Sequence, residues 1–237
     1  MSKYKLIMSD LDNTLLPIYT QDRFVEIWFR DVSKKFSDYG LDPARAIEGV
    51  SRGVRAMLYN DSGRKNIEIF YDKAFEVSGY KESELDPPMR DYYLSTFENV
   101  YDITLPNPFA VRIAVLMREK SEHCAIATMP VFTHEAVEMR MRWVGLHPSM
   151  FDYITTAENS SYCKPDPLYF QEILDLFGVR PDEALMIGND VREDMQPCKE
   201  LGIDVFLVTN HIITHDLPYD EYRQGSYEDL VAFLENL

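Results

Sequence analysis

The chain has 237 residues, 46% of them hydrophobic and 27% charged, and a formal net charge of −16. That size predicts one large domain or two unequal ones, with a core that forms without disulfides or a structural metal. So acidic a chain is a poor match for nucleic acid or an anionic membrane surface, which attract Lys and Arg, and no window approaches the ~18 apolar residues of a membrane span.

The first apolar run, Lys5 to Ser9, is short and ends in Asp10-Leu-Asp-Asn-Thr14, as a buried strand entering a polar loop does. The two lysines before Leu6 have no long apolar stretch after them, so the N-terminus does not read as a signal peptide and the expected location is the cytoplasm. From Pro17 to Asp102 no strand pattern appears. Arg23–Phe36, Ala44–Leu58 (opened by Asp42-Pro43), Lys65–Val77 (closed before Gly79) and Met89–Glu98 (after Pro87-Pro88) are spaced as helices. Four further apolar runs follow: Cys124–Thr128, Tyr153–Thr156, Leu185–Gly188 and Val205–Thr209. They lack polar alternation, which suits strands covered on both faces of a parallel sheet. Helical patterns lie between them at Pro108–Lys120, Thr133–Val144, Pro167–Phe177 and Asp194–Leu201, and Tyr227–Leu237 closes the chain. The expected fold is α/β: a doubly wound, Rossmann-like core from 1–16 and 103–237, with an all-α insertion at 17–102. Cys124, Cys163 and Cys198 have no metal-ligand spacing and read as free thiols.

The chemistry-bearing residues follow the predicted strands. Asp10 and Asp12 put two carboxylates in one loop, the types needed for a nucleophile and a general acid/base; their mutual repulsion suits a divalent cation between them. Thr128 ends the second strand, where a hydroxyl and nearby backbone N–H groups suit an anionic oxygen. Lys164, in Tyr162-Cys-Lys-Pro-Asp-Pro167, is placed to offset phosphoryl charge. Asn189, Asp190 and Asp194 follow the fourth strand in an oxygen-rich loop of the kind that binds Mg²⁺. Taken singly, each has a plainer reading: an Asp-rich turn, a strand-end threonine, an exposed lysine, acids at a helix N-terminus. Their common placement at one end of four parallel strands sets them apart.

In these four motifs (Asp10-Leu-Asp-Asn-Thr14, the strand ending in Thr128, Lys164 in Lys-Pro-Asp-Pro, and Gly188 to Asp194) the chain resembles the haloacid dehalogenase-like (HAD) hydrolase superfamily. The insertion resembles the α-helical cap of its first subclass. The resemblance implies a Mg²⁺-dependent phosphohydrolase acting on a small phosphorylated metabolite, as a monomer or homodimer. It implies that Asp10 attacks phosphorus to form an aspartyl-phosphate, and that Asp12 protonates the leaving alcohol and then activates water. Thr128, the backbone N–H of Met129 and Lys164 would bind the phosphoryl group. The metal would be held by Asp10, the backbone carbonyl of Asp12 and an acid of the fourth motif, supported by Thr14, Asn189 and Asp194. Two departures bear on this. Asn189 stands where many relatives have an acid, so Asp190 is the favoured ligand, with Asn189 as the alternative; Met129 replaces a frequent Asn. Other outcomes are a phosphomutase, a dehalogenase, which Asp12 speaks against, or a regulatory protein that binds phosphate with little turnover. Trp28, Arg52, Arg55, Tyr59 and Arg64 are the insertion's candidate substrate contacts; their plainer role is packing or exposure.

Overall fold

The computed structural model describes residues 3–18 and 21–237. Met1, Ser2, Tyr19 and Thr20, where part of the N-terminal reading and of the expected insertion falls, lie outside the described residues. In chain order the elements are β1 (Leu6–Ser9), α1 (Gln21–Asp38), α2 (Pro43–Leu58), α3 (Asn66–Ser78), α4 (Glu82–Ser95), α5 (Ala110–Lys120), β2 (His123–Ile126), α6 (His134–Trp143), β3 (Tyr153–Ile154), α7 (Pro167–Phe177), β4 (Ala184–Gly188), α8 (Gln196–Leu201), β5 (Asp204–Val208), β6 (Gln224–Gly225) and α9 (Tyr227–Glu235).

The strands form one parallel sheet in the order β3-β2-β1-β4-β5-β6. Successive residues of β1 alternate between its faces. Leu6 and Met8 pack with Tyr169, Phe170 and Ile173 of α7, whereas Ile7 packs with residues of α5, α6 and α9 such as Ile113, Met141 and Leu230. Both faces are therefore covered, and every residue of β1 and β4 is buried, which is why these strands read as unbroken apolar runs. The chain order reverses between β1 and β4, and the crevice beyond the C-terminal ends of those strands is the ligand site of an open α/β sheet. Register fixes what lies there. Ser9 is paired with Ile126 on one side and Ile187 on the other, so Asp10, Thr128 and Asn189 emerge within two residues of one another at the same edge.

Helices α1–α4 bury their own apolar cluster (Phe36, Val50, Phe70, Tyr92 and Phe97 among others) over that edge, with Ala136, Ala157 and Cys163 contributed from the sheet layer. Asp42 accepts from the N–H groups of Ala44 and Arg45 and Pro43 opens α2, as the sequence predicts. Gly49 and Gly53, one turn apart, let α2 lie against α3. A Cβ on Gly49 would stand 2.7 Å from that of Ser78, and one on Gly53 2.8 Å from the Phe70 carbonyl. The start of α3 is tied to the loop after β3: Asn66 N donates to Ser160 O at 2.9 Å, Ile67 N to Ala157 O at 2.8 Å, and the buried Asn60 amide to Ser161 O at 2.8 Å.

Two helices differ from expectation. Pro87-Pro88 lies inside α4 rather than before it: Glu84 caps the Lys81 N–H at 2.9 Å and the wholly buried Leu85 anchors the first turn, so the helix is already formed where the prolines occur. The helix predicted to reach Glu98 stops at Ser95 and continues as a 3₁₀ stretch, Phe97–Ile103. The helix predicted from Asp194 begins as a π-turn, Val191–Met195, in which Gln196 N–H returns to Val191 O; Pro197 has no N–H to give to Glu193, which favours the wider turn. The three cysteines are free and buried, and burial pushes the Cys163 thiol up to about 12. Among the described residues no helix is long and apolar enough to cross a membrane.

Candidate active site

Asp10 leaves β1 with its backbone N–H still in the ladder, on Ile187 O at 2.8 Å. Asn13 then takes a left-handed conformation (φ 60°), which Asn tolerates, and the loop folds back so that the N–H groups of Leu15 and Leu16 reach Leu11 O. This turn carries Thr14 under Asp10. The Thr14 Oγ1 lies 2.9 Å from Asp10 Oδ2 and 3.0 Å from Asn189 Oδ1, joining the loops after β1 and β4.

Lys164 is buried, with Nζ 2.8 Å from Asp10 Oδ1 and 2.6 Å from Asp194 Oδ1. Burial on its own lowers the pKa of that ammonium. The Asp10 and Asp194 carboxylates outweigh it and hold the group well above the ordinary lysine value, so Lys164 is a fixed positive charge. Asp194 fits against the strand because residue 188 is glycine; a Cβ there would collide with its side chain. Its second oxygen accepts from the N–H groups of Asn189 and Asp190, both at 3.1 Å. Burial pushes the Asp194 carboxyl upward while Lys164 pulls it back.

Thr128 is buried and its Oγ1 has no hydrogen-bond partner. Its carbonyl, in contrast, accepts from the Thr155 hydroxyl at 2.8 Å and the Tyr169 phenol at 2.7 Å. The backbone is therefore fixed while the hydroxyl is left for something else, and an orphaned buried donor of this kind suits an incoming oxyanion. Met129 is half-buried against the α1–α4 cluster.

Asp12 meets a residue that the sequence reading missed. Arg140 of α6 is fully buried and its Nη1 contacts Asp12 Oδ2. Its guanidinium also lies 4.2 Å from the centre of the Phe132 ring. Burial raises the Asp12 pKa and Asp10 adds to the rise, while Arg140 opposes both; the net effect is a carboxyl that holds its proton more tightly than usual. The Asp12 Oδ1 has no partner. The signal was present: Arg140 lies one turn beyond Ala136 and beside Met141, both buried, so a permanent charge falls on an apolar helix face.

Asp190 is heavily engaged. Its Oδ1 accepts from the N–H groups of Arg192 and Glu193 at 2.9 and 2.8 Å, and its Oδ2 lies 2.8 Å from His215 Nε2. A carboxylate has about four acceptor positions, so one on Oδ2 is still open. His215, in a left-handed conformation (φ 51°), was also missed by the sequence reading. The Asn189 amide donates to His211 O at 2.7 Å while its oxygen faces Thr14. Of the insertion's candidates, Trp28 lines a cavity among the helices, Arg52, Arg55 and Tyr59 border a separate surface hollow, and the exposed Arg64 pairs with Asp72.

Among the described residues no group of three or more His, Cys, Asp or Glu is assembled as a metal site. The donors are all oxygens, which suits a hard cation that binds through one or two carboxylates and keeps several waters. The carboxylates Asp10 and Asp194 share Lys164, Asp12 pairs with Arg140 and Asp190 with His215, so the oxygens that would hold such an ion are oriented by neighbours.

The sequence profile of the family described as haloacid dehalogenase-like hydrolase matches residues 7–208. A curated protein named glyceraldehyde 3-phosphate phosphatase, from Methanocaldococcus jannaschii, is 29% identical over 242 residues, covering 98% of each chain. One of the same name from Methanothermobacter thermautotrophicus is 24% identical over 210 residues, covering 88% of this chain and 87% of its own. The solved structure of 2-haloacid dehalogenase from Pseudomonas syringae superposes with a TM-score of 0.63 at 16% identity, covering 98% of this chain and 99% of that one, and shares the fold.

Proposed function

Because the chain belongs to the haloacid dehalogenase-like hydrolases, we propose that it is a phosphatase that hydrolyses the phosphomonoester of a small metabolite through an aspartyl-phosphate on Asp10. The observation that carries this reading is the buried Lys164 held between Asp10 and Asp194, with the orphaned Thr128 hydroxyl at the same sheet edge: one fixed cation and one free donor at the edge where the buried Asp10 carboxylate lies. The two archaeal relatives named as phosphatases support the reaction type; at 29% identity and below, the reaction is carried over and the substrate is not.

In this mechanism an oxygen of Asp10 attacks phosphorus and the P–O bond to the alcohol breaks. The leaving oxygen takes the proton of Asp12, whose raised pKa keeps that proton available. Asp12, now ionised and held by Arg140, takes a proton from water as that water attacks the aspartyl-phosphate. Inorganic phosphate leaves and Asp10 is regenerated. Lys164 and Thr128 bind the phosphoryl oxygens throughout, so the residues' main contribution is positioning and charge. Mg²⁺ held by Asp10, the Asp12 carbonyl and Asp190 or Asn189 would add positive charge at the phosphoryl group; His215 on Asp190 would orient that carboxylate. Residues 17–102 act as the cap that closes over the site. The enzyme works in the cytoplasm as a monomer or homodimer, without nucleic acid or membrane partners.

Phosphate release from a panel of phosphorylated metabolites with Mg²⁺, and its loss in Asp10→Asn, is the expected result. Full activity in Asp10→Asn refutes the reading; halide release from 2-haloacids, or sugar-phosphate interconversion outpacing phosphate release, replaces it with a dehalogenase or a mutase.

A further inference from the structure

Resting on the phosphatase reading, we propose that the substrate's alcohol portion is bulky, apolar and free of anionic groups, and that it is held in the cavity beneath α1–α4. This cavity has a volume of about 550 Å³, within the range of sites that enclose whole small molecules. It is lined by Trp28, Val54, Met57 and Phe70 of the helices and by Phe132 and Ala157, from the loops after β2 and β3. Those loops leave the same sheet edge as Thr128.

None of Asp10, Asp12, Thr128 and Lys164 lines this cavity, and what joins it to them is Phe132. Phe132 is the shared wall: it lines the cavity and its ring centre is 4.2 Å from the Arg140 guanidinium that pairs with Asp12. Asp12 is the acid that serves the leaving oxygen, and in this proposal the alcohol extends from it past Arg140 and Phe132 into the cavity. A three-carbon alcohol would leave most of this volume unfilled and its apolar walls wet. The charged residues give the second half of the argument. Glu82, Asp86, Glu135 and Glu158 line the cavity, and Arg90, the one lining cation among the described residues, is 3.7 Å from Glu135. A carboxylate or second phosphate on the leaving group would meet net negative charge with no unpaired cation to receive it. Among the described lining residues, the buried Thr133 hydroxyl has no hydrogen-bond partner, enough for one hydrogen bond to a neutral group.

The test uses the whole protein with Mg²⁺ and n-alkyl phosphates from ethyl to hexyl, whose alcohols have near-equal leaving ability, alongside glyceraldehyde 3-phosphate and 3-phosphoglycerate. The expected kcat/KM rises by roughly fourfold per methylene, hexyl phosphate exceeds glyceraldehyde 3-phosphate, and 3-phosphoglycerate is the poorest. Val54→Phe, which fills the cavity, is expected to lower the hexyl-to-ethyl ratio at least tenfold. Hydrolysis that is Asp10-dependent but flat or falling along the series overturns this inference and leaves the phosphatase reading standing. A rise that Val54→Phe does not alter overturns the location. Absence of turnover on every phosphomonoester overturns both.

Discussion

Thr128→Val separates function from folding with unusual clarity. The Thr128 hydroxyl is buried and makes no hydrogen bond, while the residue's carbonyl is held by Thr155 and Tyr169. Valine keeps the shape and leaves those two bonds in place. Removing an unsatisfied buried hydroxyl relieves a desolvation cost of about 1 kcal/mol. The variant should therefore be as stable as the parent or melt higher by about 2–4 °C for a chain of this size. A hydrogen bond to a charged group contributes about 1.5–3 kcal/mol. Its loss from a phosphoryl oxygen should lower kcat/KM by roughly 10- to 150-fold at 1.4 kcal/mol per factor of ten. The assays are thermal melting without substrate and steady-state phosphate release. A variant that melts lower by several degrees, or one with parental kcat/KM, refutes the assignment of this hydroxyl to the phosphoryl group.

Three further outcomes follow from the charges. In Lys164→Met, the buried Asp10 and Asp194 lose their common cation, so urea denaturation should show a loss of about 3–5 kcal/mol, partly recovered by added Mg²⁺; a loss under 1 kcal/mol contradicts the buried pairing. In Arg140→Gln, Asp12 keeps the burial and the Asp10 charge that raise its pKa and loses the guanidinium that opposes them. Its protonated form then persists to higher pH, and the alkaline limb of kcat/KM for an alkyl phosphate should move up; an unchanged or lowered limb contradicts Asp12 as the acid. Asp10→Asn should lose at least about a thousandfold in turnover while Lys164 retains Asp194, and circular dichroism and melting should stay near parental.

The parts legible in the sequence are those whose signal is local. Strands β1 and β4 read clearly because both faces are buried, and α7 because Pro167 opens it and Gly178 closes it in a left-handed cap. β6 is two residues long and has no pattern to read. Pro87-Pro88 suggested a helix starting at Met89, yet the cap at Lys81 and the burial of Leu85 had set α4 seven residues earlier, at Glu82. In the site, the strand-end residues Asp10, Thr128, Lys164 and Asp194 stood out by their shared edge. Their partners did not, since Arg140 meets Asp12 across 128 positions, Tyr169 meets Thr128 across 41 and His215 meets Asp190 across 25. A cation on the buried face of α6 was the one local sign of Arg140. The cavity under α1–α4 had none, because its walls come from helices whose spacing in sequence says nothing of the gap between them.

The most direct test of the account is covalent trapping in the Asp12→Asn variant with an aryl phosphate such as 4-nitrophenyl phosphate, whose leaving group needs no proton, so that water activation is lost while the phosphorylated enzyme still forms and accumulates. After incubation with a radiolabelled phosphomonoester and Mg²⁺ and an acid quench, peptide mapping should place the label on Asp10, and the Asp10→Asn/Asp12→Asn double variant should carry none. Phosphate release by the parent with no label on Asp10, or with the label on another residue, would contradict it.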